Sequence, residues 1–190
     1  MTKLFRDGKV WTIPNLMSFF RLLLVPFIVW AYLGLHDVPL TIGLLALSAL
    51  TDILDGRIAR RFHMVSDLGK ALDPLADKLT QASVVFCLAF TYPLLWFLLI
   101  LVVIREPTMG ILGCITIRKT GQVPSARWYG KVSTVALYTT ALALLVFPGM
   151  PAWLSTGLIV FCSVCVVSAL VLYTLYYLDV WKKAEGEVDS

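Results

Sequence analysis

The chain has 190 residues, of which 59% are hydrophobic and 15% are charged, and its mean hydropathy is +0.84. These values lie outside the range of ordinary soluble domains and indicate an integral membrane protein. We expect one membrane domain over residues 1–183 and a short polar tail over 184–190. The formal net charge of +4 is explained by basic residues beside membrane spans, so nucleic acid is not needed as a partner.

Six apolar runs of helix length follow one another along the chain. None of them alternates with the period of two that membrane β-strands show. The runs cover residues 14–33, 40–60, 72–90, 94–113, 130–147 and 153–177. Turn-forming or interfacial residues separate them at 34–39, 91–93 and 148–151. The sequence therefore predicts an all-α integral membrane protein with six transmembrane helices.

The distribution of basic residues predicts the orientation of these helices. The breaks at 34–39, 91–93 and 148–151 contain no Lys or Arg. Basic residues precede the first run, flank the second and fourth breaks and follow the last run: Lys3, Arg6, Lys9, Arg57, Arg60, Arg61, Lys70, Arg118, Lys119, Arg127, Lys131, Lys182 and Lys183. The positive-inside rule then places both termini in the cytoplasm, and we expect a multi-pass protein of the cytoplasmic (inner) membrane.

The four cysteines lie within apolar runs rather than in connecting loops. They are Cys87, Cys114, Cys162 and Cys165. Their positions do not form a disulfide framework, and a thiol in such a run behaves as a small apolar side chain. We therefore expect them to serve in packing.

Four aspartates stand at the facing ends of the second and third runs: Asp52, Asp55, Asp73 and Asp77. They belong to the string D-x-x-D-G-x-x-A-R-x8-G-x3-D-x3-D. A carboxylate at membrane depth is costly and usually functional. Clustered carboxylates also repel one another unless cations or protons offset their charge. The string therefore predicts a metal site at a membrane surface.

Helical periodicity divides the residues of this string into two faces. The first face follows the i, i+3, i+4, i+7 pattern and contains Asp52, Asp55, Gly56 and Ala59. The second has members four residues apart: Gly69, Asp73 and Asp77. If the loop at 61–68 makes the two helices antiparallel neighbours, the carboxylates converge, and such oxygen ligands suit two Mg²⁺ or Mn²⁺ ions. Gly56 and Ala59 leave room for a phosphate chain, and Arg60 can donate two parallel hydrogen bonds to its oxygens.

Each part of the string also has a structural interpretation. Two acids three residues apart are common at a solvated helix end, and Gly56 with Ala59 is also typical of a notch for helix packing. The combination of four acids, two glycines, an alanine and an arginine in one register favours a functional site.

These residues resemble the signature of the CDP-alcohol phosphotransferases in every position: Asp52, Asp55, Gly56, Ala59, Arg60, Gly69, Asp73 and Asp77. Members of that family transfer a substituted phosphoryl group from a CDP-alcohol to an acceptor hydroxyl and release CMP. The resemblance implies that Asp52, Asp55 and Asp73 hold two Mg²⁺ or Mn²⁺ ions. It also implies that Asp77 contacts a metal and acts as the general base.

The same resemblance assigns the remaining residues and the partners. It implies that Gly56, Ala59 and Arg60 border the cytidine diphosphate and that Gly69 keeps the cavity open. The active site then lies at the cytoplasmic ends of helices 2 and 3. CDP-diacylglycerol is the expected donor, because its tails can remain in the lipid bilayer while the nucleotide enters from water. The resemblance further implies a homodimer.

Basic residues later in the chain are candidates for binding a phosphorylated small-molecule acceptor. Arg105 lies inside the fourth run, where an unpaired guanidinium would be expensive. An ion pair with Glu106 or with the aspartates accounts for it as well as phosphate binding does. Arg118 and Lys131 flank the fourth break. They fit an acceptor pocket, and they equally fit interface charges that extend to the membrane surface.

The stretch of residues 13–21, at the start of the first run, resembles the first helix of bacterial phosphatidylglycerophosphate synthases, which implies sn-glycerol-3-phosphate as the acceptor. Asn15 and Arg21 would then steady the site, although helix capping and an ion pair explain them equally well. The stretch 116–126 departs from that pattern, so cardiolipin synthase and phosphatidylinositol-phosphate synthase remain open. A cation or proton transporter is the alternative from another class, since transporters also bind ions with carboxylates.

Overall fold

The computed structural model describes residues 12–62, 67–120 and 127–186. Within these ranges the chain forms six α-helices and no β-strand: α1 Ile13–Val29, α2 Val38–Phe62, α3 Asp67–Ala89, α4 Leu95–Thr120, α5 Trp128–Val146 and α6 Ala152–Gly186. The predicted all-helical class and the number of six helices are confirmed, whereas six membrane crossings stay a prediction. The basic residues Lys3, Arg6 and Lys9 and residues 63–66 and 121–126 lie outside the described ranges. The orientation of the helices stays a prediction.

Helix α1 begins and ends at residues whose chemistry explains both boundaries. The Thr12 hydroxyl accepts a hydrogen bond from the Asn15 N–H at 3.4 Å, which is an N-cap. After Pro26, which has no N–H to donate, the chain continues as a π-helical turn, Trp30–Gly34. Asp37 then accepts from the Leu40 N–H at 2.9 Å and caps the start of α2. The first two helices are therefore joined by a short connection.

Five of the six helices are long and apolar enough to cross a membrane: α1 with its π-helical turn, α2, α4, α5 and α6. Helix α3 has a membrane-compatible length but carries Asp73, Asp77 and Lys78 within its apolar stretch. Its lower hydropathy is therefore due in part to two aspartates of the predicted site.

In the described part of the first compact unit, residues Met1–Cys87, several polar side chains are buried and many large apolar side chains are exposed. Helix α1 packs on α2, and Ile28 is fully buried. The Arg21 and Asp55 side chains are also buried, whereas Phe27 on α1 is 55% exposed. A soluble protein would reverse this arrangement. Apolar side chains that face outward have lipid as their natural contact, which agrees with a membrane location.

The second unit, residues Leu88–Ser190, is held together by α6, which packs against both α4 and α5. Leu98, Leu144 and Ile159 are buried in it. The Trp181 indole N–H also donates to the Thr116 hydroxyl at 2.9 Å, which joins the C-terminal part of α6 to α4. Helix α6 continues to Gly186, into the segment predicted as a polar tail, and residues 187–190 lie outside the described ranges. All four cysteines are free and lie within helices.

Gly130 in the first turn of α5 allows close approach of Tyr173 from α6. A Cβ atom placed at Gly130 would lie 2.4 Å from the Tyr173 hydroxyl oxygen and 2.8 Å from a ring carbon. Gly157, in the exposed part of α6, has nothing within 4 Å of the same position.

We therefore expect Gly130→Ala to lower the free energy of unfolding by about 1–3 kcal/mol, because the added methyl group forces the packed ring to move. Gly157→Ala is the matched control and should be neutral or stabilising by up to about 1 kcal/mol, since alanine favours helix more than glycine. Thermal unfolding in detergent measures both changes. Equal effects of the two substitutions would contradict the packing role of Gly130.

Candidate active site

Three helices of the first unit meet at a single guanidinium group. Arg21 of α1 donates from Nη1 to Asp52 Oδ1 and to Asp77 Oδ1, each at 2.5 Å. Its Nη2 lies 3.1 Å from Asp55 Oδ2 and 3.3 Å from Asp73 Oδ1. Asp52 and Asp55 come from α2, and the other two acids come from α3. The four predicted aspartates are therefore brought together, and Arg21 contacts all of them.

The five charged groups differ in their exposure to the surroundings. The side chains of Arg21 and Asp55 are 2% and 4% exposed, whereas those of Asp52, Asp73 and Asp77 are between 44% and 47% exposed. The cluster thus has a closed end at Asp55 and an open end at the other three carboxylates. A ligand can reach the cluster at its open end.

Helix α1 contributes a second polar group, Ser18, which was not among the predicted site residues. The Ser18 hydroxyl donates a hydrogen bond to Asp73 Oδ1, and the residue is fully buried. Asn15, Ser18 and Arg21 are spaced three residues apart in an otherwise apolar helix, so they share one face. That spacing was the available signal, but the sequence alone left capping and ion pairing as equal explanations for Asn15 and Arg21.

The residues predicted to border a nucleotide lie on the same two helices as the aspartates. Gly56 follows Asp55 directly in α2 and is partly buried, and Gly69 in the first turn of α3 is buried. Ala59 and Arg60 lie in the last turns of α2, and their side chains are outside the described part of the structure. Their roles at a nucleotide stay predictions.

The chemistry of the donor set fits divalent cations. Four carboxylates converge on one cationic group, and oxygen donors of this kind are what Mg²⁺ and Mn²⁺ prefer. Among the side chains that the structure describes, no group of three or more His, Cys, Asp or Glu residues is arranged as a ready-made metal site. Arg21 instead gathers the aspartates, so its guanidinium stands in for the positive charge that a metal would supply.

The predicted acceptor residues all belong to the second unit. Arg105 is buried in α4, its Nη1 lies 3.4 Å from Glu106 Oε1, and its Nε has no hydrogen-bond partner. The ion pair with Glu106, one of the two predicted alternatives to phosphate binding, is therefore present. The buried Nε–H of Arg105 can still donate to a ligand. Arg118 near the end of α4 and Lys131 in the first turn of α5 are exposed. Acceptor binding by these three residues stays a prediction.

Arg127, which belongs to the same group of basic residues, contacts aromatic side chains of α6. Its guanidinium carbon lies 4.3 Å from the centre of the Tyr176 ring, and its backbone N–H donates to the Tyr173 hydroxyl at 3.3 Å. Hydrogen bonding to Tyr176 raises the pKa of the Arg127 guanidinium above its ordinary value. These contacts join the start of α5 to α6.

The geometry defines a helical membrane protein with a carboxylate cluster suited to cations. The sequence matches the CDP-alcohol phosphatidyltransferase family over residues 11–179. The chain belongs to this family, and it is an integral membrane enzyme, a CDP-dependent phosphatidyltransferase of phospholipid synthesis. The family generally uses divalent cations, in agreement with the donor set.

Relatives with two different names are similar to the chain. A cardiolipin synthase (CMP-forming) of Streptomyces coelicolor is 34% identical over 162 residues, which are 82% of this chain and 74% of that protein. A probable phosphatidylglycerophosphate synthase of Mycobacterium tuberculosis is 28% identical over 173 residues, which are 88% of this chain and 78% of the relative. A probable cardiolipin synthase of Drosophila melanogaster is 41% identical over 99 residues, covering 52% of this chain and 30% of that protein.

The buried hydrogen bond from Ser18 to Asp73 gives a test of the part that α1 plays in the cluster. Ser18→Ala removes the donor and should lower the free energy of unfolding by about 1–2 kcal/mol, because Asp73 loses a charge-assisted hydrogen bond that water replaces only in part. Ser163→Ala is the control, since that hydroxyl donates to the Ile159 carbonyl of its own helix at 2.8 Å. Thermal unfolding in metal-free detergent buffer compares the two variants. A larger loss for Ser163→Ala would contradict the role of Ser18.

Proposed function

We propose that this enzyme transfers the phosphatidyl group of CDP-diacylglycerol to a hydroxyl group of a phosphate-bearing glycerol compound and releases CMP. The observation that carries the proposal is the convergence of Asp52, Asp55, Asp73 and Asp77 at one point. The family supplies the CDP-linked donor. The many apolar side chains that face outward are suited to a donor whose acyl chains lie in the bilayer.

Within this proposal the aspartates divide the work. Asp52, Asp55 and Asp73 would hold two Mg²⁺ or Mn²⁺ ions, which when bound neutralise the pyrophosphate and stabilise the departing CMP. Asp77 lies at the open end of the cluster, with a half-exposed side chain. This exposure supports Asp77 as the general base, which would accept the proton of an acceptor hydroxyl within hydrogen-bond reach.

The residues beside the aspartates bind and orient the donor in this proposal. Gly56 and Ala59 leave space along α2 for the cytidine diphosphate, and Arg60 donates to its phosphate oxygens. Gly69 keeps the start of α3 free of side-chain bulk. The protein would lie in the cytoplasmic (inner) membrane. The helix ends that carry these residues would face the cytoplasm, as the positive-inside rule predicts.

For the acceptor we propose phosphatidylglycerol, which makes the enzyme a cardiolipin synthase. The support is the higher identity to relatives with that name, 34% for the Streptomyces protein against 28% for the probable phosphatidylglycerophosphate synthase. The second candidate acceptor is sn-glycerol-3-phosphate. The first helix and the longer match to the Mycobacterium protein support it. Either acceptor carries a phosphate that Arg105, Arg118 and Lys131 suit.

The homodimer implied by the family resemblance is part of the same proposal. Light scattering on the detergent-solubilised protein, corrected for bound detergent, measures the mass of the assembly directly.

The acceptor is tested with purified protein in detergent, CDP-diacylglycerol, Mg²⁺ and one acceptor at a time, with CMP release as the measurement. We expect CMP release that depends on phosphatidylglycerol, with cardiolipin as the lipid product. Release that depends only on sn-glycerol-3-phosphate would replace the first acceptor by the second. Cation or proton flux in liposomes, without CMP release under any condition, would instead favour a transporter.

The role of Asp77 is tested by Asp77→Asn, which retains an oxygen that can accept from Arg21 but cannot take up a proton. We expect CMP release to fall by about 10²- to 10⁴-fold, as is usual when a general base is lost, with the fold and most of the metal binding retained. Asp37→Asn is the matched control, because asparagine also caps a helix; its activity should stay within about twofold of the parent. A fully active Asp77→Asn protein would exclude this residue as the base.

A further inference from the structure

Arg21 has an unusual position for an arginine in a membrane protein. It lies near the middle of α1, is 1% exposed, and has four aspartate carboxylates as partners of its two terminal nitrogens. Removal of either partner from a buried ion pair leaves an uncompensated charge, which is strongly unfavourable. The aspartates in their observed arrangement therefore depend on Arg21, just as Arg21 depends on them.

The charges of the cluster show that Arg21 alone cannot complete it. Four ionised carboxylates and one guanidinium leave a formal charge of −3. Two divalent cations would match the four carboxylates without any contribution from Arg21. The guanidinium contacts one oxygen of each aspartate, including the three that are half-exposed. An arriving cation and Arg21 therefore compete for the same carboxylates.

We propose that Arg21 is a positioning residue that holds the four aspartates together before divalent cations bind and withdraws from them when these cations arrive. The inference rests on the proposed function only in treating the cluster as a divalent-cation site. Ser18 supports the same arrangement, because its hydrogen bond fixes Asp73 from the same face of α1. Helix α1 is thus a third wall of the site, and it acts through the carboxylates rather than through the substrate.

This competition determines the sign of the effect of a substitution. Cations bind the parent protein only after Arg21 gives up its contacts with the carboxylates, so removal of the guanidinium removes that cost and strengthens cation binding; the loss of one charge-assisted hydrogen bond corresponds to about tenfold. At the same time, the metal-free protein loses the group that offsets the repulsion among its carboxylates. A residue with a purely structural role would lower stability without raising the affinity for a metal.

The experiment measures Mn²⁺ binding to the full-length protein in detergent, from the electron paramagnetic resonance signal of free Mn²⁺. We expect Arg21→Gln to lower the dissociation constant by about tenfold, to lower the unfolding temperature in metal-free buffer, and to enlarge the rise in that temperature on adding Mn²⁺. Arg57→Gln is the matched control. It removes one charge from an exposed position two residues after Asp55 in α2, where solvent screens the charge, so the dissociation constant should change by less than about twofold.

Arg21→Lys provides a second variant that keeps the charge. A lysine offers one nitrogen instead of the two that contact the aspartates, so Mn²⁺ should bind about two- to threefold more tightly than to the parent protein. If Arg21→Gln does not fold, Mn²⁺ binding by Arg21→Lys alone tests the proposal. A folded Arg21 variant, with unchanged helical circular dichroism, that binds Mn²⁺ no more tightly than the parent overturns the proposal.

The outcome is separable from that of the proposed function. CMP release by the parent protein tests the transfer reaction, whereas Mn²⁺ binding by the Arg21 variants tests the competition. Tighter Mn²⁺ binding without CMP release would leave Arg21 as the positioning residue of an ion site with another purpose. CMP release combined with unchanged Mn²⁺ binding would support the transfer reaction and exclude the competition between Arg21 and divalent cations.

Discussion

The pairing of Arg21 with four carboxylates is the interaction on which the first unit depends. A lone guanidinium in an apolar helix is unfavourable, and so are four neighbouring carboxylates, but each offsets the cost of the other. The pairing also fixes how α1, α2 and α3 meet, because each helix contributes at least one charged partner. Assembly of the site therefore requires these three helices to be packed together.

The charges that serve the site reduce the apolar character of the helices that carry it. Helix α3 illustrates this conflict, because Asp73, Asp77 and Lys78 lower its hydropathy relative to the other five helices. Neighbouring helices compensate by enclosing part of the charge, as the buried side chain of Asp55 on α2 demonstrates. In the second unit α6 packs on α4 and α5 through apolar residues such as Leu98 and Ile159, and the buried Arg105 of α4 is paired with Glu106.

Much of this arrangement was predictable from the sequence, because apolar runs of 18–25 residues and the three- and four-residue spacing of acids are properties of single helices. The convergence of Asp52, Asp55, Asp73 and Asp77 followed from two such faces. The contribution of α1 was not predictable in the same way, since Arg21 and Ser18 gain their roles only through contacts with other helices. The π-helical turn after Pro26 and the extension of α6 to Gly186 were also not among the predictions. The acceptor cannot be read from periodicity at all, because Arg105, Arg118 and Lys131 fit several phosphates equally well.

The burial of small polar residues and the exposure of large apolar ones affect which positions of the chain can vary in evolution. In a soluble protein the interior is the part least free to vary and the surface accepts many changes. Here the outward residues, such as Phe27 and Phe161, need only remain apolar, and exchanges among Leu, Ile, Val and Phe preserve that property. The small polar residues inside, such as Ser18 and Ser133, are confined by both volume and hydrogen bonding. Substitutions should therefore accumulate at the lipid-facing positions, whereas the inner polar positions should change less between relatives.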